Sequence, residues 1–261
     1  MAQHALEEFE GIVIYRKNYR EKDMLVKMIT DQFGKKMFFL RGANRPKFRM
    51  RAAILPFTIG TYVGNLSDEG LSFINTAKEY RQFQTIGSDI FLNAYATYIL
   101  NLIDVAFPDS VPIPQWYAFA KQALNLIDDG FDAEIIMDIA QIQLLPAFGV
   151  GPHWQDCVIC HRTKGSFDYS EKYGGILCDQ HWQLDPYRLH VDQRTMYYLR
   201  LFSVVDLMKL HSIDVKKETK QRLKRVIDVL YRDTVGIHLK SKHFIDEMNG
   251  WEDRFKAPDQ N

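Results

Sequence analysis

The first 80 residues alternate short apolar runs with turn-forming residues. Five apolar or alternating segments are separated from one another by Gly, Asn, Asp or Pro: 9–15, 24–30, 36–40, 57–63 and 71–77. Segments of this length between turn residues are typical of β-strands. Such strands leave unpaired backbone N–H and C=O groups at the edges of the sheet unless the sheet closes on itself. The pattern therefore predicts a small closed β-barrel at the start of the chain.

After residue 80 the hydrophobic spacing becomes helical. Apolar residues recur every three or four positions in two stretches, one with Ile90, Ala94, Tyr98 and Leu102 and one with Trp116, Phe119, Ala123 and Leu126. Further helices are predicted at 137–145, 193–211, 215–232 and 242–248. We therefore expect an α+β protein with a barrel domain at 1–80 and a mainly helical domain at 81–261. A loop-rich insert at about 151–190 lies within the helical domain.

The formal net charge is zero, but the charges are unevenly distributed. Residues 1–80 hold 13 Lys/Arg and 9 Asp/Glu, whereas residues 82–156 hold one base, Lys121, and 9 acids. A nucleic-acid-binding protein needs a local basic face rather than a basic average. The overall charge therefore does not exclude nucleic acid as a ligand, and the acidic middle segment is a poor surface for it.

The three cysteines lie within 22 residues and form a repeated spacing. Cys157 and Cys160 are separated by two residues, and Cys178 and His181 repeat that separation. Two such pairs supply four ligands for a tetrahedral Zn²⁺ ion. Four protein ligands leave no open position, so the predicted zinc is structural. Two alternatives stay open: the cysteines are free thiols in a core, or another histidine is the fourth ligand (His153, His161 or His190).

The predicted segment around the third strand and the loop after it is basic. Residues 35–51 carry seven bases and no acid, namely Lys35, Lys36, Arg41, Arg45, Lys47, Arg49 and Arg51. Three bases of the preceding turn extend the patch: Arg16, Lys17 and Arg20. Cations neutralise phosphates, and the interleaved Phe38, Phe39 and Phe48 are of the type that stacks on unpaired bases. We predict a DNA-binding surface here; a solvated charged loop is the alternative. A second basic run at 216–225 is interpreted as a solvated helix face, with auxiliary DNA contact as the alternative.

The chain lacks the motifs of several enzyme classes. It has no phosphate-binding loop, no H-E-x-x-H, no zinc-deaminase signature and no G-x-S-x-G. We interpret the acids at 128–138 as residues near the positive end of a helix rather than as a carboxylate active site. No export signal is visible, and the apolar segment 90–107 contains Asn93, Asn101 and Asp104, as a core helix does. We therefore expect a cytoplasmic protein that is not an enzyme.

The order of several motifs resembles the RecO family of DNA repair proteins. The resemblance is carried by GIVIY at 11–15, YREKD at 19–23, RGANRPK at 41–47, LPF at 55–57 and LKSKHF at 239–244, together with the cysteine and histidine spacing. It covers nearly the whole chain. His181 is a departure, because many members carry a fourth cysteine at this point.

The resemblance implies an N-terminal OB-fold, a helical domain and a zinc-binding module. It also implies binding to single- and double-stranded DNA and annealing of complementary strands. The implied partners are RecR and the C-terminal tail of single-stranded-DNA-binding protein, and indirectly RecA, which is loaded onto covered single strands in the RecF pathway of recombinational repair. The implied location is the cytoplasm, in association with the nucleoid. No membrane partner is expected.

Two other functions stay open from the sequence. The first is a zinc-stapled adaptor for nucleic acid or protein that has no annealing activity. The second is a nuclease or another zinc enzyme. Annealing of complementary oligonucleotides without ATP separates the mediator from the adaptor, and a multiple-turnover cleavage assay identifies the enzyme.

Overall fold

The structure is a computed structural model that describes residues 6–68 and 70–255. Its first five elements are strands: β1 (Leu6–Tyr19), β2 (Asp23–Thr30), β3 (Lys35–Leu40), β4 (Ile59–Asn65) and β5 (Ser72–Arg81). All five strands predicted from the sequence are confirmed, and most extend beyond the predicted limits. Turn residues such as Gly34, at φ +66°, separate the strands as the pattern indicated.

The five strands close into a barrel in the order β1-β2-β3-β5-β4. The long strand β1 makes closure possible, because Leu6–Ile12 pair with β4 while Gly11–Tyr19 pair with β2. Neighbouring strands are antiparallel except β3 and β5, which run parallel. A five-stranded barrel with this connectivity is the expected OB-fold.

Aromatic rings fill the barrel interior. The Phe9 ring stacks between Phe38 and Tyr62, with centroid distances of 5.4 and 5.9 Å. All three side chains are buried. The Tyr62 hydroxyl donates to the carbonyl oxygen of Ala53 at 2.6 Å, which satisfies the one polar atom of this cluster. Because Ala53 belongs to the connection between β3 and β4, this bond also ties the basic loop to the core.

The rest of the chain is mainly helical. The helices are α1 (Gln84–Ser88), α2 (Ile90–Ala106), α3 (Pro114–Asp128), α4 (Ala133–Leu144), α5 (Gln193–Phe202), α6 (Lys217–Leu230) and α7 (Lys240–Phe255). Between α4 and α5 lies a two-stranded antiparallel sheet of β6 (Phe167–Ser170) and β7 (Gly175–Cys178). Of the described helices, none has the length and apolarity that crossing a membrane requires.

Two helical details differ from the sequence prediction. The helix predicted over 193–211 ends at Phe202, because the Asp206 side chain accepts the Met208 N–H and starts a separate 3-10 turn at Leu207–Lys209. Asp128 lies at the end of α3 rather than at a helix start. Its carboxylate accepts the N–H groups of Thr85 and Ile86 and so caps the first turn of α1.

The chain divides into two compact units. One comprises the barrel with the helices up to Ala133 and the segment from Lys240 onward, and the other is Glu134–Leu239. In the first unit α7 packs on α2, and the Ser241 hydroxyl donates to the Asn101 side chain at 3.2 Å. In the second unit the β6–β7 sheet packs on α5. The change of composition at residue 80 therefore marks the end of the barrel and not the limit of the compact unit.

Gly34 is required where the β2–β3 turn meets the segment between α2 and α3. A Cβ atom there would lie 2.0 Å from the carbonyl oxygen of Val111. We expect Gly34→Ala to lower the free energy of unfolding by about 2 to 4 kcal/mol, since it adds this clash to the cost of the left-handed backbone. Gly130→Ala is the matched control: Gly130 has φ +91° with nothing within 4 Å of its Cβ position, so we expect about 1 to 2 kcal/mol. Urea unfolding measures both, and equal losses would contradict the clash.

Candidate metal centre and nucleic-acid interface

A backbone knuckle and a hairpin bring the cysteine pairs together. Cys157 and Cys160 lie on a tight turn in which the His161 N–H donates to the Cys157 carbonyl at 2.8 Å. The Val158 N–H donates to the Ile176 carbonyl at 3.0 Å and so docks this turn on β7. Cys178 ends β7, and a second turn returns the His181 N–H to the Cys178 carbonyl at 2.8 Å. Each pair is therefore held by local hydrogen bonds.

The four side chains have the geometry of a tetrahedral zinc site. Their ligand atoms all lie within 4.8 Å of one another. Cys160 Sγ and Cys178 Sγ are 3.7 Å apart, and Cys157 Sγ and His181 Nδ1 are 3.6 Å apart. Zinc–sulfur bonds of about 2.3 Å place tetrahedral ligands about 3.8 Å apart. The three sulfurs and one imidazole nitrogen therefore fit Zn²⁺, with no position left for a catalytic water.

His181 is the histidine that the structure brings to the cysteines. The other nearby histidines have different neighbours: His153 Nε2 and His161 Nδ1 lie 2.9 and 3.2 Å from Asp156 Oδ1, and His190 Nε2 lies 3.3 Å from the Pro186 carbonyl. The alternative ligands left open by the sequence are thus not in the cluster.

Backbone groups favour the thiolate at Cys157. Burial alone raises the pKa of this thiol, but N–H groups of Cys178, Cys160 and Ile159 outweigh burial and bring its pKa down to about 6. One of these bonds, from the Cys178 N–H to Cys157 Sγ, measures 3.3 Å. Burial and the neighbouring thiols raise the pKa of Cys178. Since the thiolate is the form that binds metal, the fold prepares at least one ligand in advance.

Two arginines that the sequence did not single out hold this module. Arg162 Nη1 lies 2.9 Å from Asp179 Oδ1, so an ion pair joins the segment after the first ligand pair to the residue that follows Cys178 within the second pair. Arg200, on α5, donates to the carbonyl oxygens of Trp154, Gln155 and Thr163. Such support of a metal site by surrounding hydrogen bonds is common. Isolated arginines carry no spacing signal, which is why the sequence did not reveal them.

The basic loop between β3 and β4 is anchored by its apolar residues. Ala43, Ala53 and Ile54 belong to the barrel core, and Phe48 and Met50 pack against it. Because these side chains point inward, the intervening cations point outward. Of the cations predicted to bind DNA, Arg16 is half-exposed. Seven others are exposed: Lys17, Arg20, Arg41, Arg45, Lys47, Arg49 and Arg51.

Residues distant in sequence share one cleft at the end of the barrel. A cavity of about 380 Å³ is lined by Arg16, Lys17, Asn18, Met24, Ala43, Asn44 and Arg51. Arg16 and Lys17 come from β1, whereas Arg51 comes from the basic loop. In the part of the chain that the structure describes, these three cations form no ion pair with a carboxylate. Their charge is therefore available to an anionic ligand.

Lys35 and Lys36, which the sequence assigned to the DNA-binding surface, are placed elsewhere. Both side chains are buried, with 2% and 3% exposed. Lys35 Nζ lies 3.0 Å from Asp104 Oδ1, and Lys36 Nζ donates to the Ser67 carbonyl at 2.7 Å. We correct the prediction accordingly: these two lysines are neutralised within the first unit and are not part of the exposed surface.

The aromatic residues of the loop region also divide between the core and the surface. Phe38 is buried and Phe48 packs against the core, whereas Phe39 lies on the outer face of the barrel. There its ring contacts Tyr19 and Phe73, at centroid distances of 5.9 and 6.0 Å. We call Tyr19, Phe39 and Phe73 the aromatic ladder. The sequence analysis missed Tyr19 and Phe73, because strand pairing alone brings them beside Phe39.

The second basic run, on α6, is largely neutralised. Lys220 pairs with Glu134, Arg222 with Asp192 and Lys224 with Asp228. The carboxylate partners agree with the interpretation of the α6 run as a solvated helix face. They also distinguish these cations from those that line the cleft.

Comparisons with known proteins identify both parts of the chain. The family model described as Recombination protein O N terminal matches residues 1–83, and the one described as Recombination protein O C terminal matches residues 87–243. The chain is 63% identical over 252 residues to the DNA repair protein RecO of Latilactobacillus sakei subsp. sakei (strain 23K). The matched region covers 97% of this chain and 93% of the relative. It is 50% identical over 254 residues to the DNA repair protein RecO of Enterococcus faecalis (strain ATCC 700802 / V583), which covers 97% of each.

We expect about one zinc ion per chain by elemental analysis. His181→Ala should lose the ion and lower the melting temperature, because metal binding and local folding are coupled. His161→Ala is the matched control, since His161 is exposed and contacts Asp156 rather than the cysteines. A His181→Ala protein that keeps the zinc content and stability of the His161→Ala protein would contradict the site.

Acid should weaken the ion pairs that Asp109 forms with the buried Lys27 and Lys35. Burial raises the pKa of Asp109, but the hydrogen bond and charge of Lys27, and then those of Lys35, outweigh burial and lower it. The carboxylate therefore contributes stability above its unfolded pKa of 3.8, and this is lost as pH falls through the lower folded value. We expect Asp109→Asn to reduce the urea midpoint at pH 7, and to reduce it less at a pH below 3.8. Asp129→Asn, an exposed control, should change neither midpoint. A constant difference at both pH values would argue against this role.

Proposed function

Because this chain belongs to the RecO family of DNA repair proteins, we propose that it is a DNA-binding recombination mediator that anneals complementary strands. The mediator performs no covalent chemistry. In this proposal the barrel binds the polynucleotide through cations of the β1 end and the basic loop, of which Arg16 is half-exposed and the others are exposed: Arg16, Lys17, Arg20, Arg41, Arg45, Lys47, Arg49 and Arg51.

One observation carries the proposal: the cations around the barrel cleft are exposed and have no carboxylate partner among the described residues. The contrast with α6 supports this, since three of its cations are paired with acids. A cation that is already neutralised gains little from a phosphate, whereas a free cation releases the counterions condensed on the polynucleotide. The cleft is therefore the favoured phosphate-binding surface.

The physical basis of annealing is the repulsion between two phosphate backbones. The repulsion energy of two like charges is proportional to the inverse of their distance, and surrounding cations reduce that energy. A surface that binds both backbones lowers the barrier to base pairing and needs no ATP. The energy of the product comes from the base pairs themselves.

The finer parts of the proposal follow from family membership. We propose that RecR and the C-terminal tail of single-stranded-DNA-binding protein are partners, and that together they help RecA onto covered single strands. We assign the zinc centre a structural role, because four protein ligands close the shell. The runner-up function is an adaptor of the same fold that binds DNA without annealing it.

Annealing tests the proposal directly. Complementary oligonucleotides, one carrying a fluorophore and the other a quencher, are mixed with zinc-loaded protein at low salt without ATP. We expect pairing to be faster than without protein, both for bare strands and for strands covered by single-stranded-DNA-binding protein. DNA binding without any acceleration would favour the adaptor, and no binding at low salt would reject both functions.

The salt dependence of binding identifies the contacts. We expect replacement of Lys47, Arg49 and Arg51 by Ala to weaken DNA binding and to lower the slope of log K against log salt by about 2, at about 0.7 to 0.9 for each lost phosphate contact. Fluorescence anisotropy at several salt concentrations measures this slope. The matched control replaces Lys220, Arg222 and Lys224 by Ala, which removes the same charge from α6. Equal slopes for the two triple variants would contradict the assignment of phosphate contacts to the basic loop.

A further inference from the structure

The aromatic ladder presents three rings on the outer surface of the barrel. Tyr19 is 37% exposed and Phe73 is 47% exposed, which is high for aromatic side chains of a β-sheet. Phe39 lies between them and contacts both rings edge to face. The rings come from β1, β3 and β5. Because Phe39 contacts both outer rings, the three rings form one continuous row across these strands.

Strand register explains why Phe39 meets Phe73, whereas Tyr19, which is paired with Asp23, lies two residues beyond their row. Phe39 is paired directly with Phe73 in the parallel β3–β5 ladder and with Leu25 in the antiparallel β2–β3 ladder. Leu25 is in turn paired with Lys17, so one row across the sheet contains a cation, an aliphatic residue and two aromatic rings. The side chains in such a row lie on the same face of the sheet. The ladder is thus a continuous surface that begins at the basic cleft.

Three exposed cations lie beside the ladder, together with one acid, Asp23, which is the strand partner of Tyr19. The Arg20 guanidinium lies 5.2 Å from the centroid of the Tyr19 ring, and Lys17 lines the cleft at the same end. Arg41, also exposed, follows Phe39 by two residues. Apolar rings bordered by unpaired cations match a ligand that has flat apolar faces along an anionic backbone. Unpaired nucleotides have this chemistry, whereas a duplex hides its base faces.

We propose that the aromatic ladder stacks on unpaired bases, so that the barrel takes single-stranded polynucleotide in preference to duplex. The inference rests on the proposed function and deepens it, because it assigns the bases and the phosphates to different residues. The cations of the cleft hold the backbone, and Tyr19 and Phe73 contact the bases. Stacking is tolerant of sequence, since every base has a π-face. The ladder therefore selects strandedness and not sequence.

The experiment separates base contacts from phosphate contacts. Binding of the full chain is measured by anisotropy with three probes of equal length: a thymine oligonucleotide, the same backbone with abasic residues, and a duplex. We expect wild type to bind the thymine strand at least about 10-fold more tightly than the abasic strand. Tyr19→Ala and Phe73→Ala should each weaken thymine-strand binding by about 10-fold and leave abasic-strand binding unchanged.

Three control variants exclude a general effect on folding. Tyr80→Ala removes an aromatic side chain of β5 that is 48% exposed but has no part in the ladder, and it should bind all three probes as wild type does. Phe73→Trp should restore thymine-strand binding, whereas Phe73→Leu should not, because only an aromatic ring stacks. Circular dichroism spectra and urea midpoints confirm that the variants are folded.

Failure of the ladder proposal and failure of the proposed function would give different binding results. If wild type binds thymine and abasic strands equally, and the ladder variants behave as Tyr80→Ala does, the ladder proposal is overturned while the proposed function stands. If wild type binds none of the three probes at low salt, the proposed function is itself rejected together with the ladder.

Discussion

The short parallel pairing between β3 and β5 is the constraint on which the candidate DNA surface depends. It closes the barrel through only two residue pairs, Phe38 with Ser72 and Phe39 with Phe73. Because successive side chains of a strand point to opposite faces, this closure directs Phe38 into the aromatic core and Phe39 to the surface. The same pairing that excludes water from the interior therefore assembles the aromatic ladder on the outside.

The barrel separates two kinds of cation. Lys27 and Lys35 lie beside the end of α2, where Asp104 of α2 and Asp109 of the segment after it neutralise them. A buried ammonium requires such partners, since leaving water without a counter-charge is very costly. The loop cations face solvent and need no partner. One run of basic residues in the sequence thus performs two tasks: its buried members brace the first unit, and its exposed members remain free for phosphate.

The metal module follows the same division between structure and interaction. Its four ligands form a closed set within a two-stranded sheet that is too small to have a large core of its own. A tetrahedral ion supplies in such a segment the stability that apolar burial supplies in the barrel. Arg200 then connects the module to α5 through three backbone carbonyls. An ion held by these four side chains would have no open position for a substrate or a catalytic water.

The sequence by itself determined the five strands, most of the helices and the four residues of the candidate metal cluster. These features depend on local spacing, namely the period of apolar residues and the two-residue separation within each ligand pair. It could not distinguish Lys35 from Arg49, nor find Tyr19 and Phe73 as neighbours of Phe39. Burial and cross-strand pairing depend on residues distant along the chain. Only the closed barrel, by bringing β1, β3 and β5 together and placing acids beside two lysines, decided which basic and aromatic residues remain available to a ligand.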